Sequence, residues 1–548
     1  MERRWRPSAH GRCITVPQTY ERWGAAGLKR GLAERERSPC CDLPGNVWFL
    51  MITRTFSRRS FLQSTAAAAT ALGFPSIVRS QSLNEEIRVG IVGFNNQGQH
   101  HITSLRALDG VRITALCDVD ERVLAKGKQQ FAMNGQEVET FTDVRKMLDS
   151  KNVDAISTAT PNHWHALIGV WACQAGKDAY VEKPVSHNVF EGRVLVEAAR
   201  KYGRIVQCGT QSRSTVGLHQ AVKWAQAGNL GKLLWARGTC YKRRPSIGKV
   251  DAPTPWPEGI DRDLWFGPAP VKPLMRAKLH YDWHWLWDTG CGDIGNQGIH
   301  QMDVARWFLG EQTLSPKVWS VGGRLGYVDD GETPNTMFTI HEYEKAPLIF
   351  EVRGLPESKG ARQMEKFRGE FEIGVHVQYE DGHIVVPDYN SAAAFGKDGK
   401  MIRRWGNFPA PKDGPDPGKP DNTGQGSHHE NWVKAIRSRK PKELNAEILE
   451  GHLSSALCHT ANISYRLGKR QAPGTILEKV KGNAEAADSY ERMREHLKKN
   501  GVDIEKEQLT LGELLTMDPK TEKFIANPEA DKLLTRDYRK PYVVPAVA

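Results

Sequence analysis

Between residues 87 and 208, short apolar runs alternate with longer amphipathic stretches. Strands that alternate with helices are typical of a parallel, doubly wound sheet, which binds its ligands beyond the carboxyl ends of the strands. The loops that follow the strands are therefore the informative ones. The predicted strands are 87–92, 111–117, 153–159, 178–182 and 204–208. The predicted helices lie around 98–108, 120–131, 143–149, 163–176 and 189–201.

The pattern changes after about residue 210. A predicted helix is followed by strand-like runs that glycine, proline and charged turns separate, which favours an α+β domain with a mostly antiparallel sheet. The predicted strands are 233–241, 317–321, 336–342, 347–353, 373–378 and 383–386. The predicted helices are 216–227, 428–438 and 445–467, and an exposed loop rich in Pro, Gly and Asp spans 407–427.

This pattern sets the expected domains, 85–209 and 210–470, followed by a charged tail at 471–548. The tail contains short helical pieces and a proline-rich end. We expect it to wrap the body or a partner subunit instead of forming a third domain.

The start of the chain is typical of an export signal. Two arginines, Arg58 and Arg59, precede an apolar, alanine-rich stretch at 65–72, which is too short to span a bilayer as a helix. Paired arginines in this position resemble a twin-arginine signal, so residues 51–84 are predicted to be a signal and linker that direct the protein to the periplasm. The alternative is a frayed basic terminus. Residues 1–50 are expected to be a mis-called or disordered extension, with translation beginning at Met51.

Charge and cysteine usage exclude several classes of function. The first 80 residues carry 13 Lys/Arg and 5 Asp/Glu, so most of the net charge of +12 belongs to the leader, and no nucleic-acid partner is expected. Six widely spaced cysteines follow the leader without a C-x-x-C pair, which indicates buried thiols. No metal site is expected, because His428, His429, Glu430, His452 and His459 lack a ligand spacing.

A glycine-containing turn follows the first strand. Gly93-Phe94-Asn95-Asn96-Gln97-Gly98 is followed after 20 residues by Asp118, at the end of the second strand. Such a turn brings helix amides to a pyrophosphate, and the carboxylate meets the adenosine ribose, so 85–209 is predicted to be a dinucleotide-binding Rossmann domain. Asn95 replaces the second glycine of G-x-G-x-x-G. The alternative is a buried strand that ends in an ordinary glycine turn.

Two further motifs follow the next strands. Thr160-Pro161-Asn162-His163-Trp164-His165 comes after the third, and Glu182-Lys183-Pro184 after the fourth. Both should lie where a nicotinamide binds. A desolvated lysine there loses basicity and can exchange a proton with a substrate hydroxyl.

Together these three motifs resemble the glucose-fructose oxidoreductase/inositol dehydrogenase (Gfo/Idh/MocA) family over roughly 85–470. The resemblance implies that Lys183 assists proton transfer and that a histidine four residues after an aspartate lies on a helix of the second domain. His300 matches the histidine, but Asn296 occupies the aspartate position. Asn296 can orient His300 without compensating its charge, which leaves Asp293 or Asp303 to supply the carboxylate.

An aromatic stretch precedes these residues, from His280 to Asp288. Because sugar rings have apolar faces and hydroxyl edges, indoles and carboxylates suit them; the alternative is an aromatic core segment. The predicted substrate-binding residues are Trp283, Trp285, Asp293 and Asp303. The predicted catalytic residues are Lys183, His300 and Asn296. The predicted cofactor-binding residues are Gly93, Phe94, Asn95, Gln97, Gly98, Asp118, Thr160, Pro161, Asn162, His165, Glu182 and Lys183.

These features predict an exported, NAD-dependent oxidoreductase that acts on a sugar, cyclitol or related polyol. Asp118 favours NAD, and Arg122 leaves room for NADP. Because free NAD is scarce outside the cytoplasm, we expect the cofactor to be held tightly. Redox-neutral cleavage of a glycoside and a non-catalytic nucleotide-binding protein are the alternatives. The resemblance also implies a homo-oligomer that associates through the open face of the second-domain sheet.

Overall fold

A computed structural model describes residues 86–412 and 427–546. The predicted extension at 1–50, the predicted signal at 51–84 and most of the predicted loop at 407–427 lie outside the described residues. None of the helices within the described ranges has the length and apolar character needed to cross a bilayer.

The first described domain contains a six-stranded sheet in the order β3-β2-β1-β4-β5-β6, and every neighbouring pair is parallel. This confirms the doubly wound sheet. Its order reverses between β1 and β4, where such sheets bind ligands. The strands are β1 (Ile87–Val92), β2 (Val111–Cys117), β3 (Glu139–Phe141), β4 (Ala155–Thr158), β5 (Asp178–Val181) and β6 (Val206–Cys208). The helices are α1 (Gln97–Arg106), α2 (Glu121–Met133), α3 (Val144–Asp149), α4 (Asn162–Gln174) and α5 (Val189–Lys201).

The second sheet is mostly antiparallel, which confirms the predicted α+β class; β7 and β10 form a parallel pair within it. Its strands from this domain are β7 (Leu233–Tyr241), β8 (Lys317–Gly323), β9 (Thr336–Glu342), β10 (Leu348–Arg353), β11 (Ile373–Tyr379), β12 (Gly382–Val386), β13 (Ala392–Gly396) and β14 (Met401–Trp405). The helices are α6 (Val216–Gln226), α7 (Arg262–Phe266), α8 (Gly292–Asn296), α9 (Gly298–Leu309), α10 (His428–Ser438) and α11 (Ile448–Leu467).

Helix α11 joins the two halves. Ile448, at its start, packs in the core of the parallel sheet with Val185 and Cys208. Further along, Leu453 and Leu457 pack in the core beneath the second sheet with Met302 of α9. A single buried helix therefore fixes the first domain against α9, which carries His300.

The C-terminal tail adds strands and helices to the second sheet. Its strands lie at the β8 edge, in the order β9-β8-β16-β15, and β17 also pairs with β8. The elements are β15 (Lys469–Gln471), α12 (Pro473–Val480), α13 (Ala484–Lys499), β16 (Leu509–Leu511), β17 (Leu515–Asp518), β18 (Lys523–Phe524) and α14 (Pro528–Lys532).

Helix α13 covers one face of the second sheet. Tyr490 and Met493 pack in one buried cluster with Trp235, Trp319 and Phe338 of the sheet. The chain itself therefore occupies, over these strands, the face through which a homo-oligomer was expected to associate.

A buried charge cluster holds α13 against the sheet. Glu351 of β10 is fully buried and accepts hydrogen bonds from Arg237 Nη1 at 3.0 Å, from Arg492 Nη1 at 2.9 Å and from the hydroxyls of Tyr241 at 2.6 Å and Ser489 at 2.9 Å. Although burial alone would raise the pKa of Glu351, the positive charges of the arginines hold it far below its usual range. The carboxylate is therefore ionised in the core.

The last described residues, 533–546, form a strap that returns to the first domain. Arg536 donates to the carbonyl of Asp288 at 2.9 Å, and Arg539 Nε donates to that of Gly267 at 3.0 Å. The ring of Tyr542 meets that of Trp164 edge-on, with centroids 5.4 Å apart. The strap thus fastens the segment 261–291 against α4.

Candidate active site

The turn after β1 leaves space for a ligand. Gly93 has φ +73°, and a Cβ there would lie 3.0 Å from the backbone N and Cα of Thr160. A Cβ on Gly98 would lie 2.2 Å from the carbonyl oxygen of Gly93, so α1 begins directly against the turn. No side chain caps this helix, since Asn96 at its N-cap makes no capping hydrogen bond. Its first amides are therefore available to an anion.

Asp118 lies at the end of β2, beside this turn. Its Oδ2 accepts from the backbone N–H of Phe94 at 3.2 Å, and its Oδ1 accepts from that of Asp120 at 3.1 Å. Arg122 is already engaged, because its Nε and Nη2 donate to the Asp120 carboxylate at 3.0 and 2.9 Å. A ligand at this turn thus meets the carboxylate of Asp118, whereas the guanidinium of Arg122 is paired with Asp120.

A cavity of about 540 Å³ begins at Asp118, runs past the glycine turn and reaches Lys183. It joins most of the predicted cofactor-binding residues with two of the other predicted site residues. Those that line it are Gly93, Phe94, Asn95, Gln97, Asp118, Thr160, Pro161, Asn162, His165, Glu182, Lys183, Trp283 and Asn296. Gly98, Trp285, Asp293, His300 and Asp303 do not line it. Gly98 acts instead by allowing the close start of α1.

Lys183 stands at the end of the cavity between the two domains. Its Nζ donates to the backbone carbonyl of Asn296 at 3.0 Å, and its backbone N–H donates to Glu182 Oε2 at 3.1 Å. His165 connects the neighbouring loops, with its ring nitrogens 2.6 Å from the carbonyl of Pro184 and 2.7 Å from that of Thr160. The lysine is therefore held from both sides.

Glu182 is buried behind Lys183. Burial alone would raise the pKa of Glu182, but a hydrogen bond from His101 and the charge of Lys183 hold it well below its usual range. His101 Nε2 lies 3.1 Å from Glu182 Oε1, and its Nδ1 lies 2.8 Å from the Ser157 hydroxyl. Because an ionised carboxylate only accepts, this network assigns the proton to Nε2. Helix α1 is thereby coupled to the lysine loop.

His300 is buried on α9, and its Nδ1 has no hydrogen-bond partner among the described residues. Burial, and then the charge of Lys183, lower the pKa of His300 to about 3, so the ring is neutral. The ring of Tyr389 meets it edge-on, with centroids 5.1 Å apart. His300 thus lies in the electrostatic field of Lys183 but behind the cavity wall.

Neither Asp293 nor Asp303 supplies a carboxylate to His300. Asp293 accepts from Arg244 Nε at 2.8 Å and from its Nη2 at 2.6 Å. Asp303 accepts from Arg213 Nε at 3.0 and 2.8 Å and from the Ser454 hydroxyl at 2.6 Å. Both are buried ion pairs outside the cavity, so the expectation that one of them replaces the missing aspartate is wrong.

The two tryptophans predicted to bind substrate lie in different environments. Trp283 lines the cavity, whereas Trp285 is buried, with the Arg244 guanidinium 5.3 Å from its ring centroid. The cavity is also lined by Tyr281 and His284 of the same aromatic stretch, which the prediction of individual residues missed. The sequence signal for these residues was the density of polar aromatics from His280 onward. That density indicated the stretch but not which of its side chains face the cavity.

Three of the four histidines considered as metal ligands have hydrogen-bond partners, and the fourth, His429, stacks on the ring of Tyr180. His428 contacts the Ser214 hydroxyl and the Cys208 carbonyl, His452 contacts Glu522, and His459 contacts the Ser186 carbonyl. Elsewhere in the described part of the chain, Glu370, His376 and His383 place ligand atoms within 4.8 Å of one another. The rings of His376 and His383 stack with centroids 4.7 Å apart and 10° between their planes, so their lone pairs lie in nearly parallel planes that do not converge on one ion.

The six described cysteines are buried and free.

Comparison with known sequences matches both domains. Residues 87–210 match the oxidoreductase family described as having an NAD-binding Rossmann fold, and residues 236–330 match the C-terminal alpha/beta domain of the same oxidoreductase family.

Individual relatives are similar to this chain over part of its length. A glycosyl hydrolase family 109 protein 2 of Shewanella sp. (strain ANA-3) is 29% identical over 168 residues, which are 26% of this chain and 37% of that protein. Inositol 2-dehydrogenase of Salmonella typhimurium (strain LT2) is 28% identical over 159 residues, 28% of this chain and 46% of that one. The chain thus spans less than half the length of these relatives.

Among solved structures, the WlbA dehydrogenase from Bordetella pertussis in complex with NADH and UDP-GlcNAcA aligns with a TM-score of 0.50 and 20% identity, over 70% of this chain and 97% of that one. This likeness concerns the fold. Residues 87–210 and 236–330, which contain the glycine turn, the Glu-Lys-Pro loop and His300, thus match the two domains of the Gfo/Idh/MocA family of NAD-binding oxidoreductases.

Proposed function

We propose that the protein is an NAD-dependent oxidoreductase that transfers hydride to or from a CH–OH carbon of a sugar, cyclitol or related polyol. The observation that carries this proposal is a single cavity that has Asp118 and the glycine turn at one end and Lys183 at the other. One end suits an adenosine ribose and a pyrophosphate, and the other suits a reacting hydroxyl.

The residues fit NAD. A Cβ on Gly93 would press on Thr160 and one on Gly98 would meet the Gly93 carbonyl, so both glycines allow the tight turn; the first amides of α1 are uncapped, and Asp118 faces the cavity as a hydrogen-bond acceptor. The salt bridge between Arg122 and Asp120 favours NAD over NADP, because it occupies the cation that would bind a 2′-phosphate. When bound, NAD supplies a ring carbon that exchanges hydride with the substrate.

The chain's own residues orient the substrate and handle charge. Lys183 places its Nζ at the Asn296 carbonyl, where it can donate to a substrate oxygen that gains negative charge. Glu182 fixes the backbone of that lysine, and His101 holds Glu182. Trp283 gives the cavity an indole wall, which suits the apolar face of a sugar ring.

Redox-neutral cleavage of a glycoside is the second candidate, because the relatives include a glycosyl hydrolase family 109 protein. Transient oxidation of a sugar hydroxyl by bound NAD would acidify the neighbouring C–H, elimination would release the aglycone, water would add to the double bond that this leaves, and return of the hydride would reduce the ketone. Lys183 would serve both reactions in the same place. The two candidates differ in their products.

The test begins with desalted protein that is denatured, after which its supernatant is assayed for NAD and NADP. The native protein is then incubated with myo-inositol, D-glucose and a set of p-nitrophenyl glycosides. A keto product with reduced nucleotide supports the oxidoreductase. Release of p-nitrophenol with the nucleotide unchanged supports glycoside cleavage. A protein that neither carries nor binds nucleotide would overturn both.

We further propose that the protein is exported and carries its nucleotide with it. Support comes from the paired arginines at 58–59 and the apolar stretch at 65–72. Periplasmic and cytoplasmic fractions would be probed for the protein, with Arg58→Lys/Arg59→Lys as the comparison. If the double variant is exported as well as the wild type, the twin-arginine assignment is contradicted.

NAD binding is expected to weaken below pH 6. Burial raises the pKa of Asp118 to about 6, against the effect of the backbone N–H groups of Asp120 and Phe94. Above that pH the carboxylate accepts from ribose hydroxyls; below it the protonated group loses part of this capacity, by up to about tenfold in affinity per pH unit. NADH titration of nucleotide-free protein between pH 5 and 8 measures this. Asp118→Asn should bind weakly at every pH; an unchanged pH dependence in that variant would contradict the assignment.

A further inference from the structure

One of the residues that line the cavity with Lys183 has a strained backbone. Tyr281 has φ +69°, a left-handed conformation that is unfavourable for a bulky side chain and persists only where its surroundings hold it. Its hydroxyl accepts from Arg244 Nη1 at 2.6 Å, and the same guanidinium makes two hydrogen bonds to the buried Asp293. Arg244 and Asp293, the second of which was predicted to touch substrate, therefore fix Tyr281 from behind.

This backbone sets the tautomer of a neighbouring histidine. The carbonyl of Tyr281 lies against His284 Nδ1, and because a carbonyl only accepts, Nδ1 carries the hydrogen. The remaining nitrogen, Nε2, is then an acceptor. It makes no hydrogen bond within 86–412 or 427–546, and His284 lines the cavity. The ring stacks on Trp283, with centroids 3.6 Å apart and 20° between the planes, so its orientation is restricted.

The charges around His284 keep this acceptor available. Burial, together with the positive charges of Lys183 and Arg244 and the ring of His165, lowers the pKa of His284 to about 3 against the effect of the Tyr281 carbonyl. The imidazole is neutral throughout the working pH range, beside the lysine that would stabilise a substrate oxyanion. A donor and a neutral acceptor thus line the same end of the cavity.

We propose that His284 Nε2 accepts the proton of the reacting substrate hydroxyl. This inference rests on the proposed oxidoreductase function and deepens it. Bound NAD would supply the hydride acceptor. As hydride leaves the substrate carbon, the hydroxyl would become strongly acidic; the O–H bond would break, the C=O bond would form, and the proton would pass to His284 Nε2. The resulting imidazolium would then return its proton to solvent through the cavity.

His300 offers the matched comparison. It too is a buried, neutral histidine in the field of Lys183, but it lies behind the wall and its Nδ1 is sealed from solvent. A role for His284 in accepting the proton therefore predicts unequal effects for the same substitution at the two positions.

The experiment uses NAD-loaded protein and the fastest of three probes: myo-inositol, D-glucose and levoglucosan. His284→Phe keeps a ring on Trp283 without the acceptor and should lower kcat/KM about 100-fold or more, with bound NAD per chain unchanged. His284→Gln should recover part of the loss, and His300→Phe should lose less than about tenfold. A His284→Phe enzyme within threefold of wild type, or one that loses NAD in proportion to activity, would overturn the proposal.

A second measurement does not depend on turnover. Diethyl pyrocarbonate acylates accessible, neutral imidazole, and peptide masses locate the adduct. His284 should be modified in the NAD-loaded protein, with exposed His100 as the positive control and His300 as the negative one. An unmodified His284 would overturn the inference even if the oxidoreductase assignment stands. If none of the three probes is oxidised, the function fails separately, and the adduct still reports whether Nε2 is free.

Discussion

Replacing Lys183 with methionine is expected to lower kcat about 10²- to 10⁴-fold while bound NAD and the unfolding midpoint stay close to wild type. Methionine keeps the apolar stem but removes the Nζ that lines the cavity and donates to the Asn296 carbonyl. The lost donor would act on charge that develops in the transition state, and a positioned acid–base group contributes on this scale. Single-turnover reduction of the bound NAD measures the step directly.

Lys177 is the control for this variant. It also belongs to the first domain, and its Nζ donates to the carbonyls of Ser150 and Val153 at 2.9 and 2.6 Å, but it lies outside the cavity. Lys177→Met should lower stability and leave kcat within about threefold. Equal losses of activity in both variants, or loss of NAD from Lys183→Met, would show that Lys183 acts on folding or cofactor binding instead of on the reaction.

Replacing Glu351 with glutamine is expected to lower the free energy of unfolding by about 3–5 kcal/mol, because removing one partner leaves buried charges uncompensated. Arg237 and Arg353 are fully buried, and both have Glu351 as a partner. The neutral amide would also present donors to the arginines. Denaturant unfolding followed by tryptophan fluorescence measures the change, since Trp235 and Trp319 lie under α13.

Glu485 is the control for the buried cluster. It also pairs with Arg237, at 2.6 Å, but about a quarter of its side chain is exposed. Because Glu485 is partly solvated and Arg237 keeps Glu351 and Asp488 as partners, Glu485→Gln should cost less than Glu351→Gln, about 1 kcal/mol. A similar cost for both variants would indicate that apolar packing, and not the carboxylate of Glu351, holds α13 on the sheet.

The sequence predicted the regular part of the fold well. The bounds of β1 and β2 match the prediction, because each is a continuous apolar run closed by a turn. Seven described strands were missed: the four short strands of the tail, β15 to β18, and three strands in the two predicted domains. β3 is short and carries partly exposed residues, β13 consists mostly of alanines, and β14 exposes Ile402 while its two arginines are half-buried, so none shows a hydrophobic period.

The site was predictable where backbone topology decides it. The carboxyl ends of parallel strands meet at one edge of a sheet, so the glycine turn, Asp118 and Lys183 had to converge. Side chains that pair between distant segments of the chain are not marked by any spacing in the sequence. Arg244 pairs with Asp293 across 49 residues, and no spacing distinguishes that aspartate from one that binds a sugar. The inward position of His284 likewise depends on the strained backbone of Tyr281.

The strap has a consequence for how the protein is made. Arg536 fastens the loop at Asp288, 248 residues earlier in the chain. At 5–20 residues per second, a ribosome needs roughly 12–50 s to synthesise that interval. When this interval begins, the strands of the parallel sheet have been synthesised, but neither Ile448 nor Tyr542, which pack in the core of that domain, has yet been added. The loop at Asp288 therefore gains its contact with Arg536 only after most of the chain has been made.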